Sequence, residues 1–160
     1  MFLGVGTRDG YAKIVDVKQK QVLATLDVAS TQEGADAAVS DLHFSENGYH
    51  LVTTSAARTV VWDLRNQKCA HSWTPSDLAP ESESATPGKV EFTAARFDAS
   101  GKYLALAAGQ LFVFKVKGWH RLATLPVGEF ATQAIAWCGP LSGSIAAATM
   151  DNALRFYGPA

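Results

Sequence analysis

Three times along this chain an apolar-alternating segment ends in an aromatic residue, passes through a polar tight turn carrying glycine, and resumes as an apolar strand. Leu42, Phe44, Gly48 and Leu51 form the first copy, and Ala95, Phe97, Gly101 and Leu104 the second. Ile135, Trp137, Gly143 and Ile145 form a looser third. Each copy then runs through a second turn into a strand holding Trp62, Phe114 or Tyr157, and Val15 takes that place in a partial copy nearer the start. These four positions lie 47, 52 and 43 residues apart. A period of roughly 40 to 50 residues made of four short strands is the mark of β-propeller blades. One blade cannot bury its faces alone, so the fold must be a stack and function must be read from the surface of the ring.

Strands are predicted at 2–6, 12–17 and 21–26, closing a blade (1–26) whose innermost strand is missing. A second blade (39–73) takes strands at 39–44, 49–54, 59–64 and 68–73, and a third (92–125) takes them at 92–97, 103–108, 111–116 and 121–125. The last (132–157) offers 132–137, 144–149 and 153–157. The whole, 1–160, reads as an all-β partial propeller of about three and a half four-stranded blades. Apolar residues on both faces, as in Val60-Val61-Trp62 and Leu111-Phe112-Val113-Phe114, fit strands sandwiched between neighbouring blades. Glu46-Asn47-Gly48 and Ala99-Ser100-Gly101 supply glycine where a tight reversal needs positive φ. The segment 74–89, rich in Ser, Pro and Glu, reads as a mobile surface insertion between two blades, because the repeat resumes in phase beyond it.

At 160 residues with 48% hydrophobic and 18% charged residues, the chain has material for a core. A formal net charge of −1 gives it no electrostatic pull toward nucleic acid or an anionic membrane. Cys69 and Cys138 sit in different repeats without paired spacing and read as buried small hydrophobes in a reducing, intracellular setting. No apolar run approaches a membrane span. The opening Met1-Phe2-Leu3-Gly4-Val5-Gly6 has no basic flank or signal-like stretch and starts in the middle of a strand pattern. The expectation is a piece of a larger protein.

Trp62-Asp63-Leu64-Arg65, preceded by Phe44-Ser45-Glu46-Asn47-Gly48-Tyr49, resembles the strand endings and turn of a WD-repeat propeller. More narrowly, residues 45–53 (SENGYHLVT), 62–65 (WDLR), 97–106 (FDASGKYLAL) and 149–157 (TMDNALRFY) resemble the C-terminal half of the propeller in the pre-mRNA-processing factor 19 family. That resemblance implies a parent with an N-terminal U-box, a coiled-coil tetramerisation segment and a seven-bladed propeller. Such a parent is a nuclear E3 ubiquitin ligase and scaffold of the spliceosome, with links to DNA repair. Neither the U-box nor the coiled coil has a match here. The structural repeat positions it implies are Asp9, Trp62, Asp63, Phe114, Asp151 and Tyr157. The chain departs from the family in lacking a Gly-His pair before 39, 92 and 132. It also carries Ala57 and the Gly109-Gln110 turn where an aspartate is usual. The buried polar network of such repeats is therefore incomplete, and apolar packing must carry more of the load.

Other motifs lead to plainer readings. Gly4-Val5-Gly6 with Gly10 brushes against a dinucleotide fingerprint, but Asp9 stands where the third glycine belongs and no helix follows. His43, His50, His71 and His120 have no metal-ligand spacing, and His43 reads as a satisfied structural histidine. Asp9 and Asp151 occupy equivalent turns and read as acceptors of local backbone N–H groups. No serine sits in a nucleophile context. Thr74-Pro75 and Thr86-Pro87 are candidate sites for a proline-directed kinase, against the plainer reading of an unmodified insertion.

The sequence therefore points to no catalytic residue, metal or cofactor in this segment, and to a protein-interaction platform. Arg8, Arg58 and Met150, in turns that crop out on one rim, form the candidate partner-binding set. Partners are other proteins (splicing-complex subunits or ubiquitylation substrates, by resemblance) and the remainder of the propeller. Neither direct nucleic-acid contact nor a membrane is expected, and the parent is expected to homo-oligomerise through a segment absent here. One rival is an unrelated WD-repeat scaffold of a cytoplasmic complex. The other is a propeller enzyme, for which the inner strands supply only Asp41 and His43, both from one blade.

Overall fold

Among the described residues the pattern of short apolar strands and glycine turns is realised as fourteen strands and one helical turn. The structure, a computed structural model, describes residues 1–28, 38–78, 91–128, 130–139 and 143–158. The strands are β1 (Phe2–Gly6), β2 (Tyr11–Asp16), β3 (Gln21–Asp27), β4 (Asp41–Phe44), β5 (His50–Ser55), β6 (Arg58–Asp63) and β7 (Lys68–Trp73). After the short helix α1 (Pro75–Leu78) come β8 (Ala94–Phe97), β9 (Tyr103–Ala108), β10 (Gln110–Lys115), β11 (His120–Leu125), β12 (Thr132–Cys138), β13 (Ser144–Thr149) and β14 (Leu154–Tyr157). They form four antiparallel sheets in chain order: β1-β2-β3, β4-β5-β6-β7, β8-β9-β10-β11 and β12-β13-β14. The architecture is that of a partial propeller, with the first strands β1, β4, β8 and β12 side by side from one sheet to the next.

The register repeats as closely as the sequence does. Leu3 faces Val15, Leu51 faces Trp62, Leu104 faces Phe114 and Ile145 faces Tyr157 on adjacent strands. A bulge falls immediately before Val15, Trp62 and Phe114, where the pairing to β3, β7 and β11 shifts by one residue. Such an extra residue bends and twists the strand, and it recurs at the same place in these three sheets. The turn into that strand ends each time on a non-glycine residue at positive φ: Lys20 at 54°, Gln67 at 57° and Trp119 at 54°. Left-handed backbone at these side chains is uncommon, and its recurrence at one place marks the turn as a conserved feature of the repeat geometry.

The core lies between sheets. Ala12, Ile14, Ala24 and Leu26 of the first sheet meet Leu51, Val60 and Trp62 of the second. Val52, Val61 and Trp73 meet Ala95, Phe97, Leu104, Phe112 and Phe114 of the third, and Ala105, Ala107 and Leu111 meet Ile135 and Ile145 of the last. One face is mostly small or aliphatic and the next sheet offers larger side chains, so the two faces fit together. The Trp62 indole N–H donates to the Thr53 hydroxyl at 2.9 Å, and that hydroxyl reaches the Val60 carbonyl at 3.4 Å. This short chain is what the buried polar network consists of around Trp62.

Gly4 and Gly6 have a packing role. A Cβ on Gly4 would sit 2.5 Å from Leu42 Cδ1, and one on Gly6 2.7 Å from Val39 Cγ1. The glycines let β1 lie against β4, and the run that resembles a nucleotide loop is a close sheet-to-sheet approach.

One expectation needs correction. Cys69 is exposed and Cys138 half-buried: Cys69 lies on the outermost strand β7, and Cys138 is the last residue of β12, so neither reaches an inter-sheet core. At the start of the 74–89 segment the chain forms the helical turn α1. Asp77 accepts from the Thr74 amide (2.6 Å) and hydroxyl (2.8 Å), capping α1, and Leu78 is buried against the core that holds Trp73 and Phe92. An apolar anchor and a capping pair within a Pro-rich stretch were enough to fix one helical turn. A phosphate on Thr74 would break this cap and face the Asp77 carboxylate. Thr86 and the rest of the insertion lie outside the described residues.

At the two ends of the stack Leu3, Val5 and Val22 on one side, and Leu154 and Phe156 on the other, are exposed. Within the described residues these sheets have an apolar face without a neighbour. Trp62 is 6% exposed and packs in the first inter-sheet core, so Trp62→Ala is expected to lower stability by roughly 3 to 5 kcal/mol in denaturant unfolding. A loss below about 1 kcal/mol would contradict this register.

Candidate partner-binding surface

The tight turns between β1 and β2, β5 and β6, and β13 and β14 share one device. The hydroxyls of Thr7, Ser55 and Thr149 donate back to the carbonyls of Tyr11, Arg58 and Ala153 at 3.0, 3.1 and 3.2 Å. Ser55 does this in the very turn where Ala57 replaces the expected aspartate, so the hydroxyl is the common feature. Side-chain hydroxyls competing for local backbone groups stabilise turns in this way.

The first two of these turns are also tied to the next sheet, and the third to the inner strand of its own sheet. The Val39 amide donates to the Thr7 carbonyl at 3.0 Å and the Phe92 amide to the Ala56 carbonyl at 3.1 Å. The Met150 amide donates to Ala131, just ahead of β12, at 3.0 Å. Each turn is thereby locked to the entry of an inner strand, which makes this rim a rigid surface. Arg8 and Met150 are exposed on it, Met150 at 60%, whereas Arg58 is half-buried at the start of β6. Beside Met150 lies a depression of about 440 Å³ whose walls include Ala56, Glu91, Phe92 and Thr132. The Thr132 hydroxyl is buried there without a hydrogen-bond partner among the described residues.

Asp9 and Asp151 occupy corresponding turns of the first and last sheets. The Thr7 hydroxyl beside Asp9 holds its carboxyl below the ordinary value. Asp151 accepts from the Arg155 guanidinium at 2.7 Å and from the Ala153 amide at 3.3 Å, and shares the single Thr149 hydroxyl proton with the Ala153 carbonyl. These bonds, led by Arg155, push its carboxyl far below the usual carboxylate range. Asp63 is gripped by Arg65 through both carboxylate oxygens, at 3.0 and 2.6 Å, which lowers it to about 2. All three carboxylates remain charged and bound to their own turns, so none is free to exchange protons near neutral pH. Phe114 is buried against Trp73 with ring centroids 4.6 Å apart, and the Tyr157 hydroxyl donates to the Pro126 carbonyl at 2.8 Å.

The inner strands carry links between sheets that the sequence pattern did not reveal. Asp41 on β4 accepts from the Arg96 guanidinium and from the Ala95 amide at 3.2 Å. His43 Nδ1 accepts from the Phe97 amide at 3.2 Å, and the Trp137 indole N–H donates to the Arg96 carbonyl at 2.9 Å. Side chains two apart on β4 thus hold alternate backbone amides of β8, the edge that faces away from β9. The only sequence signal was Asp41 and His43 at i and i+2 on a strand with an unpaired edge. Both groups are used in structural bonds. No group of three His, Cys, Asp or Glu side chains converges as a metal site among the described residues. No helix among them is long and apolar enough to cross a membrane.

Farther out, His71 stacks on Trp119 (5.6 Å, 9°) and meets Trp73 edge-on at 4.5 Å, while His50 lies edge-on to Trp119 at 5.9 Å. This seam joins the second and third sheets. Burial is the main cause that lowers the pKa of His43, His50 and His71 below 6.5, and Arg96 adds to it at His43.

No family model matches the chain. It is 31% identical over 165 residues to pre-mRNA-processing factor 19 homolog 2 of Arabidopsis thaliana, covering 99% of this chain and 27% of that protein. Identity to pre-mRNA-processing factor 19 of Oryza sativa subsp. japonica is 32% over 167 residues, 99% of this chain and 28% of the relative. A third relative, pre-mRNA-processing factor 19 of Dictyostelium discoideum, is 30% identical over 68% of this chain. The chain spans a little over a quarter of the length of the two plant relatives.

The three depressed histidines set a pH dependence. Their folded-state pKa lies below the unfolded value of 6.5, so the unfolded chain binds more protons as pH falls below 6.5 and stability falls with it. Above 6.5 the contribution is complete. Asp63, lowered from 3.8 to about 2, acts only at far lower pH. Urea midpoints are expected to drop between about pH 7.5 and 5.5, and His50→Gln is expected to flatten part of that slope. A midpoint constant over this window would refute the assignment.

Proposed function

From a propeller segment homologous along nearly its whole length to pre-mRNA-processing factor 19, we propose a non-catalytic docking platform within a pre-mRNA splicing assembly. The observation that carries this reading is the rigid rim. Turns locked by backbone bonds to the entry of an inner strand hold Arg8 and Met150 outward, and beside Met150 lies a depression that contains a Thr132 hydroxyl unpartnered among the described residues. Exposed Met and Arg on a preorganised surface suit partner recognition, because little conformational freedom is lost on binding. The half-buried Arg58 takes the lesser part. The partner is a protein, a splicing-complex subunit or a ubiquitylation substrate, and the working compartment is the nucleus. The four blades are those around 1–26, 39–73, 92–125 and 132–157.

The parent protein, on this reading, is a homo-oligomeric E3 ubiquitin ligase whose transfer chemistry resides outside these residues and whose role extends to DNA repair. The uncovered apolar faces at Leu3, Val5 and Val22 and at Leu154 and Phe156 would then be closed by the remaining blades of a seven-bladed ring. Such large exposed patches ordinarily mark an interaction site.

Affinity purification of the tagged full-length protein from nuclear extract tests the proposal. Splicing proteins are expected to be retained, and Arg8→Glu with Met150→Glu is expected to reduce their recovery about tenfold or more, a loss near 1.4 kcal/mol, without altering the circular dichroism spectrum. Recovery without splicing proteins, or undiminished by the two rim changes, would overturn it.

A further inference from the structure

A second cavity, of about 360 Å³, lies at the opposite end of the inner strands from the rim. It forms where the last residues of β4, β8 and β12 come together, and its walls include His43, Glu46, Arg96, Phe97, Ile135 and Trp137. We propose that it binds a cationic side chain, arginine or lysine, presented by a partner polypeptide.

The charge balance of the walls favours a cation. Arg96 is spent: its guanidinium pairs with Asp41 and also donates to the Ala95 carbonyl at 2.8 Å, so the two side chains form a neutral unit. His43 accepts the Phe97 amide proton on Nδ1, which puts its own proton on Nε2 and keeps the ring uncharged. Glu46 remains. It is exposed in the turn after β4, and no ion pair engages it among the described residues. The walls together therefore carry one uncompensated negative charge.

The apolar part of the lining suits the same ligand. Trp137 is half-buried, and the bond from its indole N–H to the Arg96 carbonyl fixes the ring. A guanidinium or ammonium group against an indole gains from the negative face of the ring, and arginine also stacks by its plane. Phe97 and Ile135 provide surface for the aliphatic stem, as long basic side chains require. The Nε2–H of His43 is left as a donor for a carbonyl of the bound chain. An anion fits less well, because the positive charge of Arg96 is consumed by Asp41 and Glu46 would repel it.

The test uses the whole 160-residue chain in two-dimensional nitrogen–proton NMR with three probes: N-acetyl-arginine amide, its neutral isostere N-acetyl-citrulline amide, and N-acetyl-glutamate amide. The arginine probe is expected to shift the Trp137 indole resonance together with the backbone of His43 and Glu46, with a millimolar dissociation constant. Citrulline should bind about tenfold more weakly or worse, and Glu46→Gln should weaken the arginine probe by a similar factor. Because Glu46 is an exposed turn residue, the remaining resonances of that variant should stay in place. Trp137→Phe, read at His43 and Glu46, should weaken binding while keeping an aromatic ring in the wall. Equal binding of arginine and citrulline, preference for the glutamate probe, or no shift at tens of millimolar arginine probe would each overturn the proposal.

Discussion

Packing of a sheet between two others governs almost everything in this molecule. A four-stranded sheet with apolar side chains on both faces exposes more hydrocarbon than it hides, and at roughly 25 cal/mol per Å² that exposure is unfavourable unless both faces are covered. The residue after the bulge in each third strand sets how the cover is made. Trp62 enters the aliphatic face made by Ala12, Ile14 and Ala24, and Phe114 enters that made by Val52 and Val61. A bulge precedes each of these residues, and a left-handed residue stands in the turn that follows. Local backbone geometry and inter-sheet packing are thus two sides of one arrangement.

The polar bonds between sheets have a different task. Apolar faces of similar shape slide easily, whereas Asp41 on the Ala95 amide, His43 on the Phe97 amide and Trp137 on the Arg96 carbonyl each require one relative position. They also satisfy amides on a strand edge that would otherwise be open to stray pairing. Their net energy is modest, on the order of 1 kcal/mol each, but losing Asp41 or His43 leaves the amide of a buried residue unsatisfied. The links at the inner strands and the hydroxyl-braced turns at the rim together hold the two candidate binding surfaces in fixed relation to the stack.

The sequence was informative wherever a residue type repeats. The period through Val15, Trp62, Phe114 and Tyr157 carried the fold class, because an aromatic or branched residue at a fixed interval has few structural explanations. Glycine at 48 and 101 located tight turns in which both residues adopt positive φ, 73° and 65°. What could not be read were features made by two sheets at once. Arg96 looked like one charge among fourteen basic residues, and only stacking brings it beside Asp41. Gly4 and Gly6 read as small residues of a strand, and only stacking sets Leu42 and Val39 against them. Cys69 was misjudged because burial depends on which strand is outermost, a property of the sheet and not of the residue. Leu78 was missed because a single anchor in a polar, proline-rich stretch has no period.

The account stands on the claim that side chains of one sheet hold the backbone of the next. Hydrogen exchange at the Ala95 and Phe97 amides measures this most directly, since both point away from β9 and have Asp41 and His43 as acceptors. Protection comparable to that of paired amides in β9 and β10 is expected, with selective loss at Ala95 in Asp41→Ala. Exchange of both amides at the rate of an unpaired strand edge, in a chain whose sheets are otherwise protected, would contradict it.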